Sequence, residues 1–276
     1  MNAELRFKGV IRCAYEQTGS QVVVLVDEYD KPLLSTIDNE TLHDAYRDTL
    51  KAFFSVLKSM DDYIRFVFIT GVSKFSHVSI FSDLNNLDDI SMDLRYVDIC
   101  GISENELRAY FDTSIHELVD ANDMAYEEAC EQLRKQYDGY HFRENSMGIY
   151  NPFSLLNTFN KGVFNDYWFA TGTPTFLVKL LQAKNYKLGD LEGKKVMSDM
   201  LSAPDTAMSN SIPVLYQSGY LTMKGYDCDM RIYTLGFPNE EVERGFPNFL
   251  LPYYYTPIGD DDKASSRRKT TSTSSS

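Results

Sequence analysis

Two adjacent carboxylates, Asp27 and Glu28, end the apolar run Val22 to Val26, and a hydroxyl, Thr70, ends a second run, FVFIT, farther along the chain. Carboxylates so placed can divide the work of phosphoryl transfer. The first supports the shell of a magnesium ion and the second positions and polarises the attacking water. Asp27 fits the metal role and Glu28 the water role, while Thr70 is placed to hydrogen bond the water or a γ-phosphate. Each also has a plainer reading: VVVLVDE as a strand ending in a solvated acidic turn, and Thr70 as a β-branched residue closing a strand ahead of Gly71.

The elements that must hold these groups follow from the flanking sequence. Val22 to Val26 lacks polar alternation, which predicts a strand buried on both faces of a parallel sheet. Asn39 is a helix cap, and Leu42, Tyr46, Leu50, Phe53 and Leu57 recur at helical spacing behind it. Arg65 to Gly71 reads as a second buried strand. Strand, helix, strand makes a right-handed parallel unit, so an α/β sheet is expected, with Asp27, Glu28 and Thr70 at its carboxyl edge, where ligands of open sheets bind.

Past Gly101 the patterns turn helical. Ser103 and Glu106 form a capping box, and Asn151–Pro152 and Thr173–Pro174 each set a capping side chain before a proline. Residues 102–200 are therefore expected to form a helical lid or bundle. From Ile212 a short helix ends near Gly219, Tyr220 to Lys224 and Arg231 to Leu235 read as two strands joined by a turn, and Asn239 caps another short helix. That outline is winged-helix-like; Asp227, Asp229, Glu240, Glu241 and Glu243 favour packing on a neighbouring unit over contact with DNA. Residues 258–276 are mostly Ser, Thr and charge, and are expected to be a disordered tail. The expected divisions are 1–101, 102–200, 201–257 and 258–276.

Composition narrows the function classes. Hydrophobic residues make up 43% and charged residues 24% of 276, enough for a sizeable core. A net charge of −13 argues against a broad electrostatic hold on nucleic acid or an anionic membrane. No stretch reads as a secretory signal or a membrane span, so a cytoplasmic protein is expected. Cys13, Cys100, Cys130 and Cys228 form no CxxC pair and read as reduced thiols. The four histidines are dispersed and show no zinc spacing.

The stretches VVVLVDEYDKPLL, FVFITGVSKFSHVSIFSDLNNLDDIS, YDGYHF, YNPFSLLN, YWFATGTPTFL, LYQSGYLT and LGFPNEEV together resemble an AAA-ATPase-like family widespread in anaerobic gut bacteria. The resemblance runs from about residue 5 to 255. It implies a partial P-loop core with magnesium and ATP as ligands, a helical lid and a winged-helix-like segment, often followed by a PD-(D/E)XK nuclease-like domain. Asp27 and Glu28 match the family's Walker B pair, and Thr70, Ser73 and Lys74 match the strand-end segment.

Two departures qualify it. The chain carries no glycine-rich Walker A loop, whose amides and lysine would cradle phosphates; GDLEGKK at 189–195 has the wrong spacing. The nuclease-like domain is replaced by the polar tail. The chain alone is therefore expected to be an inactive, truncated ATPase domain or a nucleotide-independent interaction module. A sheet without its phosphate-loop strand would expose edges and apolar faces, which predicts poor solubility or self-association. Arg95 has two readings, a phosphate-sensing arginine or a surface ion pair with Asp93 or Asp98. Tyr253 to Tyr255 is expected to be an apolar face stripped of its cover.

Overall fold

The computed structural model describes residues 3–36, 39–72, 80–170, 177–178, 181, 189, 191–202 and 211–254. Lys74, Ser73, the helix start at Thr173–Pro174, Tyr255 and the tail at 258–276 lie outside them.

Helix α1 (Ala3–Thr18) leads into strand β1 (Val22–Val26), the short helix α2 (Lys31–Leu34), the long helix α3 (Glu40–Ser59) and strand β2 (Ile64–Ile69). The strands pair in parallel, Val23 opposite Phe66 and Val26 opposite Ile69, so the expected strand–helix–strand unit is present and the fold is α/β. Asn39 caps α3, its side chain accepting from Leu42 N at 3.1 Å. Phe7 of α1 stacks on Phe53 of α3 with ring centroids 4.4 Å apart, and Ile11, Val24, Phe54, Val56 and Leu57 are buried in one core.

Burial departs from expectation in two places. Only Val24 of β1 is buried; Val23 is 53% and Leu25 70% exposed, and Phe66 on β2 is 55% exposed. Cross-strand partners share a face, so these residues form one open apolar side on a sheet of two strands. A strand is buried on both faces only when something covers both, and here a single face is packed. Likewise Leu42 and Tyr46 are exposed, because only the C-terminal half of α3 lies against the core.

A helical region follows: α4 (Glu104–Tyr110), α5 (Asp112–Asn122), α6 (Tyr126–Tyr137), α7 (Pro152–Lys161) and the short α8 (Tyr167–Ala170). The capping box is formed, with Ser103 N donating to Glu106 Oε2 and Glu106 N to Ser103 Oγ. Asn151 Oδ1 caps α7 by accepting from Phe153 N and Ser154 N. Leu107, Ile115, Leu118, Leu133 and Leu155 are buried in this region's own core.

The last part is a three-stranded antiparallel sheet of order β3-β5-β4, from β3 (Lys194–Met197), β4 (Thr222–Asp227) and β5 (Ile232–Gly236). Helix α9 (Ser198–Ser202) follows β3, α10 (Ile212–Gln217) precedes β4, and α11 (Glu240–Tyr254) closes the described chain. A helix followed by a hairpin is present as expected, with the first strand at Thr222–Asp227 in place of 220–224. Strand β3 lies in the stretch read as helical: KKVM has no alternation of its own and becomes a strand through pairing with β5. Helix α11 is capped by Asn239 as expected, but runs for 15 residues. Tyr253 within it is 45% exposed. Among the described residues no helix is long and apolar enough to cross a membrane.

Candidate functional site

Parallel pairing brings the C-terminal ends of β1 and β2 side by side. The ladder continues one step past the strands: Thr70 N donates to Val26 O at 2.8 Å, and Tyr29 N donates to Thr70 O at 3.0 Å. Asp27 and Glu28 lie between these two bonds, so the backbone on either side of them is fixed while both side chains face solvent. Glu28 takes a left-handed conformation, φ 52°, which costs a residue with a Cβ roughly 1 kcal/mol. Strain at a strand end that displays two acids is the kind of outlier that accompanies functional positions.

Thr70 Oγ1 donates to Asp27 Oδ1 at 2.5 Å, so the first acid and the strand-end hydroxyl are brought together. Glu28 points elsewhere, its Oε2 accepting from Lys31 Nζ at 2.7 Å in an exposed pair that pushes the lysine's pKa up. Arg95 is not joined to either acid or to Thr70 among the described residues. Its Nε and Nη2 grip Asp93, at 3.1 and 2.6 Å, and this pairing holds the Asp93 carboxyl down to about 2. Arg95 thus makes the expected surface ion pair with Asp93.

Four residues not singled out in the sequence support the edge. Asp30 is completely buried, and its Oδ1 accepts from Val72 N at 3.0 Å, tying the turn after β1 to the backbone leaving β2. Tyr29 is buried against Phe81, ring centroids 5.0 Å apart, where desolvation and the nearby Asp30 and Asp89 raise its pKa. Gly71 gives both of them room, since a Cβ there would lie 2.5 Å from Tyr29 Cε1 and 2.8 Å from Asp30 Oδ1. Lys31 is the fourth. An acid set before a proline, as in Asp30–Lys31–Pro32, is a helix-start signal that could have drawn attention to Asp30.

Beside β2 runs a cleft of about 980 Å³, lined by Phe66, Phe68, Thr70, Phe81, Met92 and Tyr216 among others. Arg65 is the single basic side chain in its described lining, so its walls suit apolar contact better than a polyphosphate. No group of three or more His, Cys, Asp or Glu that could hold a metal by itself occurs among the described residues.

Residues 1–81 match the AAA-ATPase_like family model, described as a predicted AAA-ATPase. A curated relative from Azotobacter chroococcum mcd 1, an uncharacterized protein in the vnfD 5′ region, is 40% identical over 252 residues, covering 90% of this chain and 46% of its own length. The chain thus spans about half the length of that relative. No solved structure matches this chain.

Proposed function

Starting from an AAA-ATPase-like segment in its first 81 residues, we propose that this chain is part of a magnesium-dependent ATPase whose phosphate-binding loop comes from polypeptide outside these 276 residues. Asp27 holds the metal through water, Glu28 activates the attacking water, and Thr70 orients Asp27 and reads the γ-phosphate. The observation that carries this reading is the 2.5 Å hydrogen bond joining Thr70 to Asp27 at the carboxyl edge of two paired parallel strands. Magnesium commonly takes one or two carboxylates and completes its shell with water and substrate phosphate. Asp27 suits that use: one oxygen is engaged by Thr70 and the other meets no donor among the described residues. Glu28 keeps Oε1 for water while Oε2 holds Lys31. Lys74, close after Thr70 in sequence, is the basic residue assigned to the nucleotide; Arg95 would first have to leave Asp93.

Around this core, residues 102–200 serve as a helical lid and 201–257 as a winged-helix-like unit. The helix–hairpin order of α10, β4 and β5 supports the second assignment, and β3 adds residues 194–197 to that sheet. The acidic balance supports a packing role over DNA contact; a cytoplasmic setting, expected from a sequence that reads as neither secretory signal nor membrane span, belongs to the same proposal.

A second reading, a nucleotide-independent interaction module that self-associates or takes a protein partner, is favoured by the open apolar face at Val23, Leu25 and Phe66. Calorimetry with magnesium-ATP separates the two when the chain is measured beside a form extended by its upstream genomic segment. Binding by the extended form alone, weakened about tenfold by Asp27→Ala, is the expected result. No binding by either form overturns the ATPase reading, and micromolar binding by the short chain overturns the need for an added loop.

A further inference from the structure

Four stretches that stood out in the sequence, YDGYHF, YNPFSLLN, YWFA and LGFPNEEV, converge on one carboxylate. Glu241, in the first turn of α11, is completely buried. Its Oε1 accepts from Ser154 Oγ on α7 and from Trp168 N on α8, both at 2.9 Å. Among the described residues its Oε2 is buried with no hydrogen-bond partner, and the Tyr140 ring lies beside it. Around them Asn239 stitches the segments together, its Nδ2 donating to Asp138 O and its Oδ1 accepting from Val242 N. Gly139 lets Pro238 O approach where a Cβ would collide with it.

No cation answers this carboxylate among the described residues. The ionisable groups facing it are Asp166, ahead of α8, and the phenols Tyr137 and Tyr140; Arg244, one turn along α11, is turned to Asp166 and Glu240. The N-terminal end of α11 and the Trp168 amide favour an anion here. Burial outweighs them: it pushes the Glu241 carboxyl up to about 7, against the lowering by Trp168 N and Ser154.

We propose that Glu241 is a proton-operated latch between α7, α8 and α11. With a proton on Oε2 the carboxyl is neutral and the three segments close on it. Without the proton, a buried anion with one oxygen unsatisfied loosens them. The direction of the linkage follows: an unfolded glutamate titrates near ~4.3, so the folded chain binds the extra proton between there and neutrality. The latch's contribution is full below that range, is lost as the pH rises through it, and changes no further above the folded-state value.

Trp168, the sole tryptophan, reports on the site, since its amide binds Glu241 and its ring stacks on Tyr220 at 4.8 Å. Its fluorescence in the full chain, titrated from about pH 5.5 to 8.5 around the folded-state value, is expected to show one transition centred near 7. Glu241→Gln, which keeps an acceptor for both donors, is expected to abolish the transition. Ser154→Ala, which removes a hydrogen bond that favours the anion, should move it up by about one pH unit. A wild-type chain without a transition overturns the latch, as does one that persists in Glu241→Gln, where another group would be its source. Should the glutamine variant fail to fold, an unmoved midpoint in Ser154→Ala has the same meaning.

Discussion

Gly71→Ala is expected to lower the unfolding free energy by about 2–3 kcal/mol, read as a lower urea midpoint with an unchanged slope. The added methyl would sit 2.5 and 2.7 Å from two ring carbons of Tyr29 and 2.8 Å from Asp30 Oδ1. Neither neighbour can step aside. Tyr29 is wedged against Phe81, and Asp30 is fully buried and bound to Val72 N. The backbone leaving β2 would have to shift instead, and Thr70, one residue earlier, would carry its hydroxyl away from Asp27. Gly9→Ala makes the contrast within one protein: Gly9 lies inside α1 with nothing within 4 Å of its added Cβ, so the same substitution should stabilise by about 0.5–1 kcal/mol. If both variants unfold alike, the tight junction at the strand ends is wrong.

That junction shows which features the sequence discloses. The adjacency of Asp27 and Thr70 was legible because a parallel strand–helix–strand unit must set its two carboxyl ends side by side. The caps Asn39, Ser103 with Glu106, and Asn151 were legible for a different reason: each is a contact spanning two or three residues. Burial of β1 was not, since Val23 and Leu25 look the same in sequence whether a second layer covers them or not. Nor was β3, an edge strand defined by its partner 35 to 41 positions later, Lys194 facing Leu235 and Met197 facing Ile232. Within the site, Asp30 and Gly71 escaped notice because their roles depend on a closure between segments 42 residues apart, and Glu28 turned to Lys31, a neighbour one turn away. The motifs meeting at Glu241 were visible only as unusual strings. What they share is a carboxylate belonging to one of them.

Removing one oxygen in Tyr137→Phe is expected to destabilise the chain by about 1–3 kcal/mol, more than Tyr110→Phe, whose ring is 80% exposed. Tyr137 is completely buried, and burial pushes its phenol up to about 12, so it stays a donor across the working pH range. The hydroxyl donates to Asn165 O at 2.9 Å and accepts from Asn165 N at 3.1 Å and from Thr158 Oγ1 at 2.7 Å. Thr158 has a second acceptor in Ser154 O at 3.0 Å, but in phenylalanine's presence both backbone groups of Asn165 lose this partner. Asn165 O keeps Tyr167 N as a donor at 3.1 Å, so the group left without a partner is Asn165 N, at a cost of about 1–3 kcal/mol, which sets the expected range. The consequence reaches further, because Asn165 opens the turn that presents Trp168 N to Glu241. A loosened turn should therefore shift Trp168 emission in Tyr137→Phe while leaving it unchanged in Tyr110→Phe. A loss under about 1 kcal/mol, with unaltered emission, would mean that the turn is held by its other contacts and not by this phenol.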